Sequence, residues 1–170
     1  VDPATNTAKV NIEVDENDVV KAFAITGAGP LKTSEVQAVI QTKPGLILNL
    51  NTIRTDITAI QKLYTDKGYK ASVQGEGFGI NNNGIVDIPI VVGKVGQIKI
   101  NGLHKTKQWV VQREMYDQRP GDYYNINKLQ RAYTRIFNTD LFSDIQPAFI
   151  ERSVGVVDIT LNMEEKRTGQ

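Results

Sequence analysis

The chain has 170 residues, of which 40% are hydrophobic and 23% are charged, a balance typical of folded globular domains. Twenty basic and nineteen acidic side chains give a net charge of +1, which argues against nucleic-acid binding because proteins of that class carry a strong basic bias. The absence of cysteine excludes disulfides and cysteine-ligated zinc within these residues, and no apolar run reaches the roughly 18 residues that a membrane-spanning helix needs.

A short alternating phrase occurs three times and marks an internal repeat. It reads VNIEV at 10–14, VDIPI at 86–90 and VDITL at 157–161. Side chains alternate between the two faces of a strand, so each phrase predicts a strand with one buried face. Recurrence at a nearly fixed step of this size indicates repeated structural units.

The first complete copy begins with a predicted strand over 20–25, which ends before Gly27. A short helix follows, with Thr33 or Ser34 as its expected N-cap and a break at 44–45, where the sequence reads Pro-Gly. The apolar face of this helix is predicted to consist of Val36, Val39 and Ile40.

A longer second helix is predicted from an apolar stripe at i, i+4, i+7 and i+11. The stripe is formed by Ile53, Ile57, Ile60 and Tyr64. Two strands close the copy, joined at 81–84 by an Asn-Asn-Asn-Gly turn that is a strong hairpin signal.

The second copy repeats this order. A strand over 96–100 ends before Gly102, a helix begins near Thr106, and a second Pro-Gly break follows at 120–121. The tripeptide NLN at 49–51 returns as NIN at 125–127. The stripe of the second helix becomes Leu129, Tyr133, Ile136 and Phe137, and a weaker turn at 153–155 precedes the last strand.

Two copies of the order β-α-α-β-β predict an α+β fold. Three strands cannot close a barrel, and two amphipathic helices on one face of a small mixed sheet bury both stripes. We therefore expect a tandem pair in which each copy forms a three-stranded mixed sheet with two helices on one face. Almost no linker is expected between the copies, at 91–95.

Four stretches carry a resemblance to a known family: IKING at 98–102, KGY at 67–69, VQREM at 111–115 and the ending NMEEKRTG at 162–169. Together with the tandem order, they resemble the POTRA (polypeptide-transport-associated) domains of BamA-type outer-membrane protein assembly factors. One departure is DLF at 140–142, where the first copy has KGY. The resemblance implies the C-terminal strand of a preceding POTRA domain at 1–16, the penultimate domain at 17–92 and the last, barrel-adjacent domain at 93–165. It also implies the start of a link to a β-barrel at 166–170.

The family resemblance implies the periplasmic portion of an outer-membrane protein, and a binding and relay module without catalysis or cofactor. The implied partners are unfolded outer-membrane proteins, accessory lipoproteins or chaperones, and the protein's own C-terminal β-barrel. Two alternatives remain: a POTRA scaffold or adaptor, and the POTRA arm of a two-partner secretion or chloroplast protein-import channel. Val1 is not an initiator methionine and no signal peptide is recognisable, so we expect part of a longer protein.

The candidate binding site is a free sheet edge. The resemblance places the phrase strand in the centre of each sheet and leaves the penultimate strand at an edge, where an extended client can add a strand. The candidate residues are Ala71, Ser72, Val73, Gln74, Gly75 and Glu76 in the first copy, and Ile145, Gln146, Ala148 and Phe149 in the second. Pro147 removes one donor from the second edge, so we expect the first edge to accept clients more readily.

Other chemistry-bearing residues favour plainer interpretations. His104, the only histidine, is expected in a surface loop, and Glu164 and Glu165 at a solvated strand end. Trp109 is expected either to pack in a core or domain interface or to be a contact residue, with the first favoured. Arg113 and Glu114 are predicted either to lie on a solvated helix face or, by the resemblance, to contact an accessory subunit or the barrel.

Overall fold

The computed structural model describes residues 12–14, 16–74 and 79–167, and these form two similar units in tandem. Each unit is a mixed sheet with two helices, which confirms the predicted α+β fold. The prediction of three strands holds for the second sheet, whereas the first has four. The described helices are all too short or too polar to cross a membrane.

The first unit contains β1 (Ala22–Thr26), α1 (Thr33–Ala38), α2 (Leu50–Asp66), β2 (Ala71–Val73), β3 (Gly79–Ile80) and β4 (Ile85–Val92). The central strand is β4, which pairs in parallel with β1 and antiparallel with β2 and β3. The phrase strand therefore lies in the centre of the sheet, as expected.

The second unit contains β5 (Lys94–Asn101), α3 (Gln108–Glu114), α4 (Ile126–Phe137), β6 (Phe142–Ser153) and β7 (Val156–Glu165). Its strand order is β5-β7-β6, with β5 parallel and β6 antiparallel to the central β7. A single residue, Gly93, separates β4 from β5.

Each helical stripe packs on its own sheet, but not every predicted member is buried: Tyr133 on α4 is half-buried. Ile53, Ile60 and Tyr64 are buried on α2, whereas Ile57 is half-buried. On α4 the prediction for Phe137 is wrong: it is 53% exposed, because it is the last residue of the helix. Ala132 lies in the buried stripe instead, between Leu129 and Ile136.

Two predicted element starts are also wrong. The first strand begins at Ala22 rather than residue 20, because the backbone of Val20 bonds to the loop that precedes α2: its amide donates to Leu46 (2.9 Å) and its carbonyl accepts from Gly45 (2.7 Å). The N-cap of α1 is Lys32 rather than Thr33 or Ser34. The Glu35 carboxylate accepts the Lys32 amide at 2.9 Å, so this end is satisfied without a hydroxyl cap.

Of the edge strand predicted over 71–76, the structure describes a strand at Ala71–Val73 that ends before Gln74; residues 75 and 76 lie outside the described residues. The cause is Pro89 in the central strand. The Gln74 amide donates to the Pro89 carbonyl at 2.9 Å, but proline has no amide hydrogen with which to return the second bond of the pair. The ladder between β2 and β4 is therefore incomplete at the position of Gln74 and Pro89.

Candidate functional site

The backbone of β2 offers two amides to a partner. The Gln74 amide donates to the carbonyl of Pro89 in β4 at 2.9 Å, and the Lys70 carbonyl accepts from the amide of Gly93, directly after β4, at 2.7 Å. The N–H and C=O groups of successive residues point in alternate directions along an antiparallel strand. The backbone groups of Ser72 therefore also point toward β4, while those of Ala71 and Val73 point away from it. Because β2 ends the described sheet on this side, Ala71 and Val73 present their amide and carbonyl groups outward.

The side chains of β2 are partly buried, and no further described strand pairs with its outer side. Ala71 and Val73 are half-buried against the core of the first unit, and Ser72 is also half-buried. Of the other candidate residues in the first unit, Gln74 takes part in the ladder, and Gly75 and Glu76 lie outside the described residues. The outward groups of Ala71 and Val73 are thus the part of the predicted site that the structure describes as an open edge.

The edge of β6 is blocked at two successive outward positions. The Ile145 amide donates to the Asp144 carboxylate at 2.8 Å, and its carbonyl accepts from the Tyr133 hydroxyl at 3.2 Å. Burial, followed by the charge of Asp144, raises the pKa of Tyr133 to about 12, so this hydroxyl stays a donor at ordinary pH. Two residues further on, the same alternation makes Pro147 the next outward position, where no amide exists.

The remaining β6 candidates divide by the same alternation. Gln146 and Ala148 face β7, where they pair with Asn162 and Thr160. The backbone groups of Phe149 point outward. Its ring packs edge-on against Tyr124, with 5.9 Å between the ring centroids. Sequence reasoning identified Pro147 but missed Asp144 and Tyr133, which block the edge through side chains.

An apolar groove of about 460 Å³ runs beside β6. It lies between α4 and β6 and is lined by Leu129, Tyr133, Ile145, Pro147 and Phe149, among others. This groove can hold apolar side chains even though the adjacent backbone edge is blocked.

Arg113 and Glu114 lie at the end of α3 and pair with each other at 2.9 Å. The Arg113 guanidinium also lies 5.3 Å from the centre of the Trp109 ring. Trp109 is 58% exposed, so the expectation that it packs in a core is wrong. A groove of about 370 Å³ begins at Arg113 and continues to Arg119 and Pro120.

A cluster that sequence reasoning missed holds this end of α3 in place. Arg135 on α4 donates to the Glu114 carbonyl at 2.6 and 2.8 Å and to the Asp117 carboxylate at 2.6 Å. Its guanidinium also lies 4.3 Å from the centre of the Tyr116 ring. Arg135 thereby fixes α3 against α4, beside the exposed Trp109 and Arg113.

Within residues 12–14, 16–74 and 79–167, no group of three or more histidine, cysteine or acidic side chains is arranged to hold a metal ion. Glu165, expected to be a solvated strand end, accepts the amides of Thr106 (2.7 Å) and Lys105 (3.0 Å). These hydrogen bonds lower the pKa of Glu165 to about 2, and the bond from Thr106 has the largest effect. Its role is therefore to hold the loop that leads into α3.

Comparisons with known proteins point to one family. A family model described as "POTRA: Surface antigen variable number repeat" matches residues 19–92 and, a second time, residues 93–166. A protein of Treponema pallidum (strain Nichols) with the provisional name of outer membrane protein assembly factor is 28% identical over 176 residues. That match covers 98% of this chain but only 21% of the Treponema protein.

Two solved cyanobacterial structures have the same fold. The N-terminal domain of Omp85 from Thermosynechococcus elongatus superimposes with a TM-score of 0.77 at 28% identity, over 88% of this chain and 67% of that one. POTRA1-3 of the periplasmic domain of Omp85 from Anabaena gives a TM-score of 0.77 at 23% identity, over 89% and 67%.

Proposed function

Because the chain belongs to the POTRA family, we propose that it is the periplasmic binding and relay part of an outer-membrane β-barrel assembly factor. The names of the similar proteins, an outer membrane protein assembly factor and an Omp85, support this assignment. The proposed partners are unfolded outer-membrane proteins, accessory lipoproteins or chaperones, and a β-barrel of the same protein. The proposed role requires no catalysis, metal or cofactor.

The open edge of β2 is the observation that carries the proposal for client binding. An extended client that pairs with Ala71 and Val73 continues the sheet by main-chain hydrogen bonds. Such bonds depend little on the client's sequence, which suits a protein that handles many different β-strands. We therefore assign client binding to β2 and expect β6 to contribute little by strand addition.

The short edge limits the expected affinity. The entropy lost on ordering an unfolded client offsets much of the free energy gained from the new hydrogen bonds. The dissociation constant should therefore lie between roughly millimolar and micromolar, a binding free energy of about −4 to −8 kcal/mol. Weak binding is compatible with relay, since a client must also be released.

Proline substitutions at two adjacent positions test this assignment. Val73→Pro removes an outward amide and should weaken the binding of a peptide copied from a barrel strand by roughly two- to thirteenfold, the equivalent of about 0.5–1.5 kcal/mol for one hydrogen bond. The fold should survive, because the Val73 amide is not in the ladder. NMR titration of the labelled chain measures both the affinity and the sites that respond.

Gln74→Pro is the matched control. It removes the amide that donates to Pro89, so it should destabilise the sheet, whereas Val73→Pro should not. Peptide-induced shifts confined to the α4–β6 groove, with no response along 71–73 and unchanged affinity in Val73→Pro, would refute the assignment to β2.

The exposed surface around Trp109 and Arg113 supports a second contact, with an accessory subunit or the barrel. Tryptophan and arginine are enriched among residues that dominate interface energies. The cluster of Arg135 and Asp117 holds α3 in a fixed position, and a fixed surface costs less to bind.

A further inference from the structure

The groove of about 370 Å³ beside α3, which we call the α3 groove, has an apolar floor. Met115 is 3% exposed and belongs to the core of the second unit, and the half-buried Ile98 packs against the same core. Gln118 is fully buried, and its side-chain oxygen and nitrogen are both hydrogen-bonded to the following loop. The floor can therefore receive an apolar side chain without leaving a buried polar group unpaired.

Both charged residues that line the α3 groove are arginines. Arg119 is exposed, and no described residue accepts a hydrogen bond from its guanidinium, because the nearby Asp122 carboxylate accepts its backbone amide instead, at 2.7 Å. Arg113 donates only its Nε, to Glu114 at 2.9 Å, and within the described chain its two Nη groups have no acceptor. The Arg113 side chain is 54% exposed and that of Glu114 is 22% exposed, so the pair presents its cation to solvent.

The first unit lacks half of this arrangement. Val36 on α1 and Val111 on α3 are the buried valines of the two equivalent helices. Two residues after them stand Ala38 in the first unit and Arg113 in the second. A basic residue precedes the Pro-Gly break in both units, and in the first it is Lys43. Two guanidinium groups thus come together in the second unit, where the repeat itself supplies one cation.

The lining defines the chemistry of an occupant. A guanidinium matches the two oxygens of a carboxylate, and the apolar floor between the two arginines matches an apolar side chain. The composition favours a protein over a membrane surface: the lining contains arginine and methionine but no lysine, and the exposed Trp109 ring lies 5.3 Å from the Arg113 guanidinium. Protein interfaces are enriched in tryptophan, methionine and arginine and depleted in lysine.

We propose that the α3 groove binds an acidic segment of a partner protein. In this complex the partner's carboxylates bond to Arg113 and Arg119, and an apolar side chain between them contacts Ile98 and Met115. The inference rests on the proposed function, because it gives a chemistry to the second contact at α3, but it does not depend on client binding at β2. The whole chain has a net charge of only +1, so the attraction of an acidic partner is local to this groove.

NMR titration of the labelled chain with blocked peptides of about seven residues tests the proposal. Their central residues are Glu-Leu-Glu, Gln-Leu-Gln or Glu-Ser-Glu, and glycine and serine fill the remaining positions. The Glu-Leu-Glu peptide should shift the amides of 112–120 and the Nε signals of Arg113 and Arg119. The other two peptides should bind more weakly, and added salt should weaken the binding of Glu-Leu-Glu because it screens exposed charges.

Single substitutions identify the groups that bind. Arg113→Gln and Arg119→Gln should each weaken the Glu-Leu-Glu peptide by roughly two- to fivefold, the effect of one exposed ion pair. Lys43→Gln, at the equivalent place in the first unit, is the matched control and should leave the affinity unchanged. Glu114→Gln should strengthen binding, because it removes the carboxylate that competes for Arg113. Unchanged melting temperatures would show that the fold is intact in each variant.

Three results would overturn the proposal. One is equal binding, or no binding, of the Glu-Leu-Glu and Gln-Leu-Gln peptides. Another is preference for a Lys-Leu-Lys peptide that Glu114→Gln abolishes, which would identify a basic partner. The third is that vesicles of phosphatidylcholine with phosphatidylglycerol shift the amides of 112–120 while the peptides do not, which would identify a lipid surface. The response of Ala71 and Val73 to a barrel-strand peptide is measured separately, so client binding at β2 and the α3 groove can fail independently.

Discussion

Under the proposed function, Pro89 limits where a client can pair with the first unit. In a central strand, a residue without an amide hydrogen leaves one partner position incomplete, and β2 ends at the residue before that position. In the second unit, by contrast, the outward amide and carbonyl of Ile145 are already hydrogen-bonded to the side chains of Asp144 and Tyr133. Single side chains thus make one edge short but open and the other long but blocked.

Glu165 gives the fold a pH dependence at the acid end. Its pKa in the folded chain is about 2, below the ordinary value of 4.5, because it accepts the amides of Thr106 and Lys105. The stabilisation is therefore complete above about pH 4.5 and is lost as the pH falls toward 2. Glu165→Gln should reduce the slope of melting temperature against pH in this window, and an unchanged slope would show that the bonds do not matter.

The two units use different polar side chains to hold equivalent loops. In the first, buried Asp56 on α2 accepts from Gln41 (2.7 Å) and from the amide of Thr42 (3.1 Å). In the second, buried Gln118 accepts the Asn125 amide at 2.9 Å and donates to the Tyr123 carbonyl at 3.1 Å. A repeat thus conserves the path of the chain while its polar supports change.

The stripe on α2 should be essential to the first unit alone. Ile60 is 1% exposed, and Ile60→Asp would bury an unpaired carboxylate at a cost of several kcal/mol, comparable to the stability of a small domain. NMR spectra should lose the dispersed signals of 19–92 and retain those of the second core. Gln61→Asp, on the exposed face next to it, is the control and should melt like the wild type. Equal melting of Ile60→Asp and wild type would show that the stripe is not core.

The order of elements follows from the sequence because periodicity and turn residues are local signals. The periodicity predicted the stripe of α2, and the family resemblance implied the central position of β4. The state of the sheet edges was harder to predict, because it depends on residues that pair with the edge strand. Pro89, in another strand, leaves a hydrogen bond to β2 unmade, and the Asp144 side chain binds the outward amide of its neighbour Ile145. The sequence did contain the signal for the missing hydrogen bond, since Pro89 is part of the phrase VDIPI. The roles of Asn125 and Arg135 could not be predicted from the sequence, because they depend on how the helices pack against other elements.

At the scale of the whole molecule, hydrogen bonds and an ion pair connect the two units. The bonds from Asn125 and Ile126 cross between them, and Lys70, directly before β2, pairs with Glu151 of β6 at 2.5 Å. The open edge of β2 therefore begins beside the end of β6. Under the proposed function, a client held at β2 would lie next to the second unit, which is a favourable arrangement for relay.

Amide exchange along the strand edges tests the central claim, that clients add a strand to β2. With a saturating peptide copied from a barrel strand, the outward amides of Ala71 and Val73 should exchange several-fold more slowly, while that of Phe149 on β6 should not change. An inward amide, that of Gln74, reports whether the sheet itself has changed. Slowing confined to β1, β5 or β6, with Ala71 and Val73 unaffected, would contradict the account.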